Sequence, residues 1–466
     1  MPTGRTIRRL LLLACIALPG AAVAAQDRHD GDARAMPGIA LSRADDGRWV
    51  AGYELPAPST GLRFERVDPQ ATRVRDWMPL DPAFQLLVED GAEVVRRRDG
   101  AAFTKVALAM KPLYVQMEKD YAPFSPFGDG GLLIHTGRFH ACALPCADAG
   151  TPAWRVRLAP PRGEHAIVAG RTVAAVDFID RDDGTNLYVG KAVPVETADV
   201  IAVIDPTMPA GIRERLASLL PRLMAFYGDA LGVLPQKPML FASRDAAHPG
   251  GGYGYQGGTL PGQVFMHVYG RHPAFDTPAF ATRMDTFFAH EAAHMYQHYP
   301  ALADGADAWI HEGGADALAA VALLRLGESD AAATDARVAD ARDACAASLA
   351  AGPLSEAGAR GDFDAYYRCG FVLQMAVDAT VRRASHGACG LPCVWRDFQA
   401  RVRGGKPWNA DTFIEAVSAQ AGAAAADFLR TVVAGKADVP AGLLDDGLRA
   451  AGWVLRPAAT SANAAD

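Results

Sequence analysis

Phe287-Phe288-Ala289-His290-Glu291-Ala292-Ala293-His294-Met295-Tyr296 reads as part of a helix, its apolar residues recurring at helical spacing around two histidines and a glutamate. Residues four apart on a helix lie one turn above each other, so His290 and His294 face one way and can grip a single Zn²⁺. Glu291 lies about 100° round the helix from His290. From there it can reach a water on the metal without ligating, which is the position of a general base.

The next stretch downstream supplies a third ligand. In Ala308-Trp309-Ile310-His311-Glu312-Gly313-Gly314-Ala315-Asp316, Glu312 follows His294 by 18 positions, enough for a loop and the start of a second helix to return beside the first. Two His and one Glu leave a fourth position open for water. Asp316, one turn beyond Glu312, can accept the free N–H of a ligating imidazole and fix its tautomer. A metzincin would need His at position 300; Gln297 and Pro300 exclude that pattern. His298 falls about 80° off the line of His290 and reads as a surface histidine.

These two motifs resemble those of the gluzincin zinc metallopeptidases, in particular the aminopeptidase N-like and glycyl-aminopeptidase-like groups. The resemblance spans roughly residues 200 to 435. It implies an α+β chain with a β-rich N-terminal domain, a thermolysin-like mixed α/β zinc domain and an α-helical C-terminal region. It implies peptide-bond hydrolysis with Zn²⁺ as cofactor. It also implies an oxyanion-stabilising Tyr: Asp364-Ala-Tyr366-Tyr367-Arg368-Cys369-Gly370-Phe371 resembles the segment that carries it, making Tyr367 the counterpart, 55 positions after Glu312, with Tyr366 as the alternative. The acid one turn after the ligand Glu is similar to that of thermolysin-type gluzincins and supports Asp316. One departure is chemical. Aminopeptidases of this kind carry a Glu for the substrate ammonium just before the zinc helix, whereas Gly257-Gly258-Thr259-Leu260-Pro261-Gly262-Gln263 has none, nor does any position from Ala246 to Phe275. A buried ammonium with no opposing charge is costly. The chain therefore reads as an endopeptidase or an atypical aminopeptidase. The strand Gln263–Tyr269 either aligns a substrate backbone by strand addition or is an ordinary sheet edge. A zinc-stabilised binding protein of the cell envelope, with a peptidase fold and no turnover, is the alternative.

On either side of the motifs the pattern changes. From about 27 to 195 short apolar runs alternate with Gly, Pro and Asp, among them Val106–Met110, Gly131–Ile134, Trp154–Leu158 and Val173–Phe178, which read as strands. Val200–Ile204, Pro238–Ala242 and Gln263–Tyr269 read as strands around a helix from Ala210 to Gly228, and Gly250 to Gly258 as a glycine-rich loop. Helices are expected at 279–298, 309–325, 330–350, 362–384, 394–403, 410–420 and 423–434. The expected division is a signal peptide at 1–25, a β-rich domain at 26–195, the zinc domain at 196–326 and a helical region at 327–466.

Arg5, Arg8 and Arg9, the apolar run Leu10–Leu18 and the small residues Ala21–Ala25 have the order of a secretory signal peptide; a lipoprotein signal ending at Cys15 is the rival. Export to the periplasm or the outside fits the six cysteines left after its removal. Cys142/Cys146 and Cys389/Cys393 share a Cys-x-Leu-Pro-Cys pattern and could each close locally, leaving Cys345 with Cys369, although six cysteines allow about 15 pairings. Half of the 466 residues are hydrophobic and 21% charged, a globular composition. The net charge is −7, and loss of the three leader arginines takes it to −10, which argues against a nucleic-acid partner. No later segment offers the ~18–20 unbroken apolar residues of a membrane span. The expected partner is a peptide or protein substrate.

Overall fold

The computed structural model describes residues 36–117, 120–146, 153–248, 252–298, 305–434 and 442–453. The leader and Cys15 lie outside these residues. In chain order, a β-rich front is followed by a mixed five-stranded sheet and then by a helical back, the α+β arrangement expected.

The front holds three sheets. Trp49–Ser59 is central to a six-stranded one, paired with Gly38–Arg43 and Phe103–Met110. Its alternation of Trp49, Ala51, Tyr53 and Leu55 inward with Glu54 outward is the period-2 pattern that buries one face. The run read as one strand at Val173–Phe178 is instead two, Arg171–Val173 and Val176–Asp180, in different sheets. The chain turns between them so that Val176 can enter the front core while Val173 pairs with Ala166. A small cluster of Phe127, Leu133, Ile167 and Tyr188 against Ile201, Val203, Phe241 and Phe265 joins the front to the next sheet.

That sheet runs Val195–Glu196, Ile201–Ile204, Met239–Asp245, Gln263–Tyr269, Gly254–Leu260. The inner strands are parallel and buried along most of their length, mainly apolar with Ser243, Gln263 and His267 among the buried positions, as expected of strands covered on both faces. Two readings are corrected here. Most of the supposed glycine-rich loop is the edge strand, paired antiparallel with Gln263–Tyr269 from Gly254 to Leu260. Gln263–Tyr269 is consequently flanked on both sides and has no free edge. Glycine is needed in this strand for approach: a Cβ on Gly257 would lie 2.2 Å from the Phe265 carbonyl oxygen and 2.4 Å from the Phe287 ring.

The helices fall where their periodicity placed them, at Pro278–Gln297, Ala308–Arg325, Ala331–Ala350, Asp364–Ala384, Leu391–Arg403, Ala410–Ala421 and Ala423–Ala434. One continuous core runs from Val200 in the sheet through these helices to Ala451. Disulfides link Cys142 to Cys146, Cys345 to Cys369 and Cys389 to Cys393. Among the described residues no helix is long and apolar enough to cross a membrane.

Candidate metal centre

Helix Pro278–Gln297 starts cleanly. Thr277 Oγ1 accepts from the Phe280 N–H, Pro278 fills the first helical position, and the helix stops where His298 takes a left-handed φ of 50°. Phe280, Met284, Phe288, Ala289, Ala292 and Ala293 form its buried side. The Tyr227 hydroxyl donates to the Ala289 carbonyl at 2.8 Å, and Asp285 pairs with Arg215. Fixed in this way, the opposite face turns His290, Glu291 and His294 into a cleft of about 460 Å³ lined also by Thr259, Leu260, Pro261, Met295, His311, Glu312 and Tyr367.

Helix Ala308–Arg325 brings in Glu312. Its residues are apolar almost all round because it lies in the middle of the helical core. Among the described residues, His290, His294 and Glu312 form the one group placed to hold a metal. The two imidazole Nε2 atoms are 3.0 Å apart, and Glu312 Oε2 is 3.5 Å from the first and 3.4 Å from the second. Ligands about 2.0–2.2 Å from a tetrahedral zinc stand about 3.3–3.5 Å from one another, so the three donors fit that ion.

The hydrogen bonds around them say why a cation belongs there. His290 Nδ1 is 3.1 Å from Asp316 Oδ1, and His294 Nδ1 is 2.6 Å from Gln297 Oε1. The Gln297 amide is oriented in turn, because its Nε2 donates to the His311 carbonyl at 2.8 Å. A carboxylate and an amide oxygen can only accept, so both imidazoles carry their hydrogen on Nδ1 and offer the Nε2 lone pair. Two lone pairs and a carboxylate oxygen thus converge on one point, and only a positive charge reconciles them. Protonation shows the same preference: burial disfavours a charged His290, but Asp316 and Glu312 outweigh it and push its pKa up to about 10. Burial likewise opposes ionised Glu312, yet the His290 and His294 rings beside it hold it far below the usual carboxylate range.

Glu291 stands beside this group. Thr259 Oγ1 is 2.6 Å from its Oε2, and the Thr259 carbonyl accepts from the Tyr121 hydroxyl at 2.8 Å. Helix Asp364–Ala384 separates the two tyrosines by one residue of twist. Tyr366 is buried, with its hydroxyl accepting from the Gly358 N–H at 2.9 Å, while Tyr367 lines the same cleft as Glu312 with its ring 6.2 Å from that of His290. Burial and the Glu312 charge raise the Tyr367 pKa well above its ordinary value, so its hydroxyl stays a donor. His298 is exposed at the rim.

Three contributors escaped the sequence. Gln297, read only as a break in another motif, is fully buried and orients His294. Arg337 donates to Asp316 Oδ1 at 2.5 Å and stacks 4.4 Å over Phe371, which holds the carboxylate behind His290. Thr259 sits in the edge strand just past the stretch read as a loop, where Leu260 and Pro261 also line the cleft.

No protein-family model matches the chain, and no curated protein matches it. Solved structures do. Yeast LTA4 hydrolase is 11% identical, with 87% of this chain and 68% of that one covered and a TM-score of 0.47. A variant of the M1 zinc metallopeptidase of Deinococcus radiodurans is 18% identical, with 86% and 93% covered and a TM-score of 0.46. An aminopeptidase N family protein of Idiomarina loihiensis is 12% identical, with 88% and 78% covered and a TM-score of 0.60. The chain has the fold of that aminopeptidase N family protein.

Proposed function

We propose that the protein is a zinc metallopeptidase, exported to the periplasm or beyond, that cleaves peptide or protein substrates as an endopeptidase or an atypical aminopeptidase. The observation that carries this reading is the convergence of His290 Nε2, His294 Nε2 and Glu312 Oε2 on one point of an open cleft, with Glu291 beside it. Export is supported by three disulfides, which persist in oxidising compartments.

Zn²⁺ held by these three residues supplies Lewis-acid polarisation of the scissile carbonyl and of a water molecule. The protein supplies the rest. Glu291 takes the proton of the attacking water and passes it to the leaving amine. Tyr367 donates its phenolic hydrogen to the developing oxyanion, a contact worth roughly 3–4 kcal/mol where one such donor has been removed from another enzyme. Asp316 and Gln297 hold the two imidazoles in the tautomer that ligates.

Substrate anchoring follows from what lines the cleft. Among the described residues that line it the acids are Glu291 and Glu312, both committed to the chemistry, and Leu260 and Pro261 stand in the segment where an ammonium-binding acid would be useful. A site built around a substrate's polar group rejects analogues lacking it by about 10⁴-fold. This protein is expected to cleave an N-acetylated peptide with kcat/KM within about threefold of the free-amine form, far from such a penalty. Paired assays with internally quenched peptides make the comparison. A strict requirement for the free amine would overturn the endopeptidase reading and leave an atypical aminopeptidase whose ammonium partner comes from another loop.

A further inference from the structure

One short segment of the β-rich front is tied to the edge strand Gly254–Leu260 and to its neighbour Gln263–Tyr269. The Tyr114 hydroxyl donates to Gln256 Oε1 at 2.5 Å, Gln256 Nε2 donates to the Met117 carbonyl, the Tyr269 hydroxyl donates to Gln116 Oε1 at 2.8 Å, and the Tyr121 hydroxyl donates to the Thr259 carbonyl at 2.8 Å. The last of these ends one residue's width from the chemistry. The Thr259 hydroxyl reaches both Glu291 Oε2, at 2.6 Å, and the Glu291 carbonyl, at 2.9 Å. The shorter contact is a charge-assisted bond, the stronger kind. Among the described residues no other side chain hydrogen-bonds to the Glu291 carboxylate.

We propose that Thr259 is the positioning residue of Glu291, and that the front domain acts on the reaction by holding Thr259 in place through Tyr121. The proposal rests on the peptidase reading above. A glutamate side chain has three rotatable bonds, and a proton acceptor is effective only near one of its rotamers. The Thr259 hydroxyl fixes one carboxylate oxygen and so dedicates the other to the proton. Only a strand that lies close to the zinc helix can do this, and Gly257 permits that approach, since any Cβ there would strike Phe265 and Phe287. Tyr121 then sets the strand's height, because Thr259 is bonded at its carbonyl on one side and at its hydroxyl on the other.

The test uses full-length, zinc-loaded protein and the variants Thr259→Val, Thr259→Ser and Tyr121→Phe. Misplacement of a reacting group by about 1 Å costs on the order of 100-fold, so Thr259→Val is expected to lower kcat by about 10- to 100-fold with KM within about twofold. Its zinc content stays that of the parent. Thr259→Ser, which keeps the hydroxyl, is expected to recover to within about threefold of the parent, and Tyr121→Phe to lose about 3- to 10-fold in kcat. A Val variant as fast as the parent, or a Ser variant as slow as Val, overturns the proposal while leaving the peptidase reading intact. Should the Val variant fail to fold, an unchanged kcat in Tyr121→Phe overturns it instead. A parent that cleaves no peptide removes both readings together.

Discussion

Glu291→Gln is expected to lower kcat by about 10²- to 10⁴-fold while the chain keeps its zinc, the range general acid–base catalysis contributes. The substitution preserves size and shape. The Gln carbonyl can still accept from Thr259, whose hydroxyl is 2.6 Å from Glu291 Oε2, so the cleft keeps its form. What disappears is the ability to take a proton. His290, His294 and Glu312 are untouched, and with them Asp316 and Gln297 behind the two imidazoles. Metal analysis and turnover measured on the same preparation separate the two roles: zinc equal to the parent with hydrolysis lost assigns Glu291 to proton transfer. Parent-like hydrolysis would remove it from the mechanism, and loss of zinc would make it a ligand or a structural support.

Gly313→Ala is expected to destabilise the protein by about 3 kcal/mol, the upper range for overpacking a well-filled core. Helices Ala308–Arg325 and Asp364–Ala384 touch backbone to backbone at this point. A Cβ on Gly313 would lie 2.3 Å from the Gly370 carbonyl carbon and Cα, and one on Gly370 would lie 2.3 Å from the Trp309 carbonyl oxygen. Backbone atoms have no rotamer to escape into, so the helices must separate. Glu312 and Tyr367 sit one and three residues from the contact, on either side of it, so the same displacement pulls the proposed ligand and the proposed oxyanion donor apart. The melting temperature and kcat should fall together. Gly211→Ala is the control, because it too lies in a helix but a Cβ there meets nothing within 4 Å. Equal melting temperatures for the two variants would show that the close crossing carries no stability.

The contrast between these two sites explains how much was legible in the sequence. His290, Glu291, His294, Glu312 and Asp316 lie at spacings that a helix converts directly into a shared face, so their assembly follows from local geometry and one return of the chain. Helix positions were legible for the same reason: an apolar stripe at 3.6-residue spacing survives in any context. The edge strand was not. Glycine is poor in strands on propensity alone, and Gly254, Gly257 and Gly258 therefore suggested a loop. What two of them are for shows only after folding, when a Cβ on Gly257 would strike Phe265 and Phe287 and one on Gly254 would meet the Tyr269 hydroxyl. Thr259, Tyr121 and Arg337 escaped for a related reason. Thr259 meets Glu291 across 32 residues, Tyr121 meets Thr259 across 138, and Arg337 meets Asp316 across 21, with no periodicity linking the partners. Tyr367 was distinguished from Tyr366 only by resemblance, and the fold supplies the physical reason: one step along the helix turns a side chain from the cleft into the core, where the Tyr366 hydroxyl meets the Gly358 N–H.

Peptide hydrolysis is proposed to depend on a metal held by His290, His294 and Glu312. Its most direct measurement is turnover of a quenched peptide by the purified protein as zinc is stripped with a chelator and then returned. The expected result is about one zinc per chain, loss of hydrolysis in proportion to zinc removed, and recovery when one equivalent is restored. Hydrolysis that persists in protein free of zinc would contradict it, as would zinc-loaded protein that turns over no peptide at all.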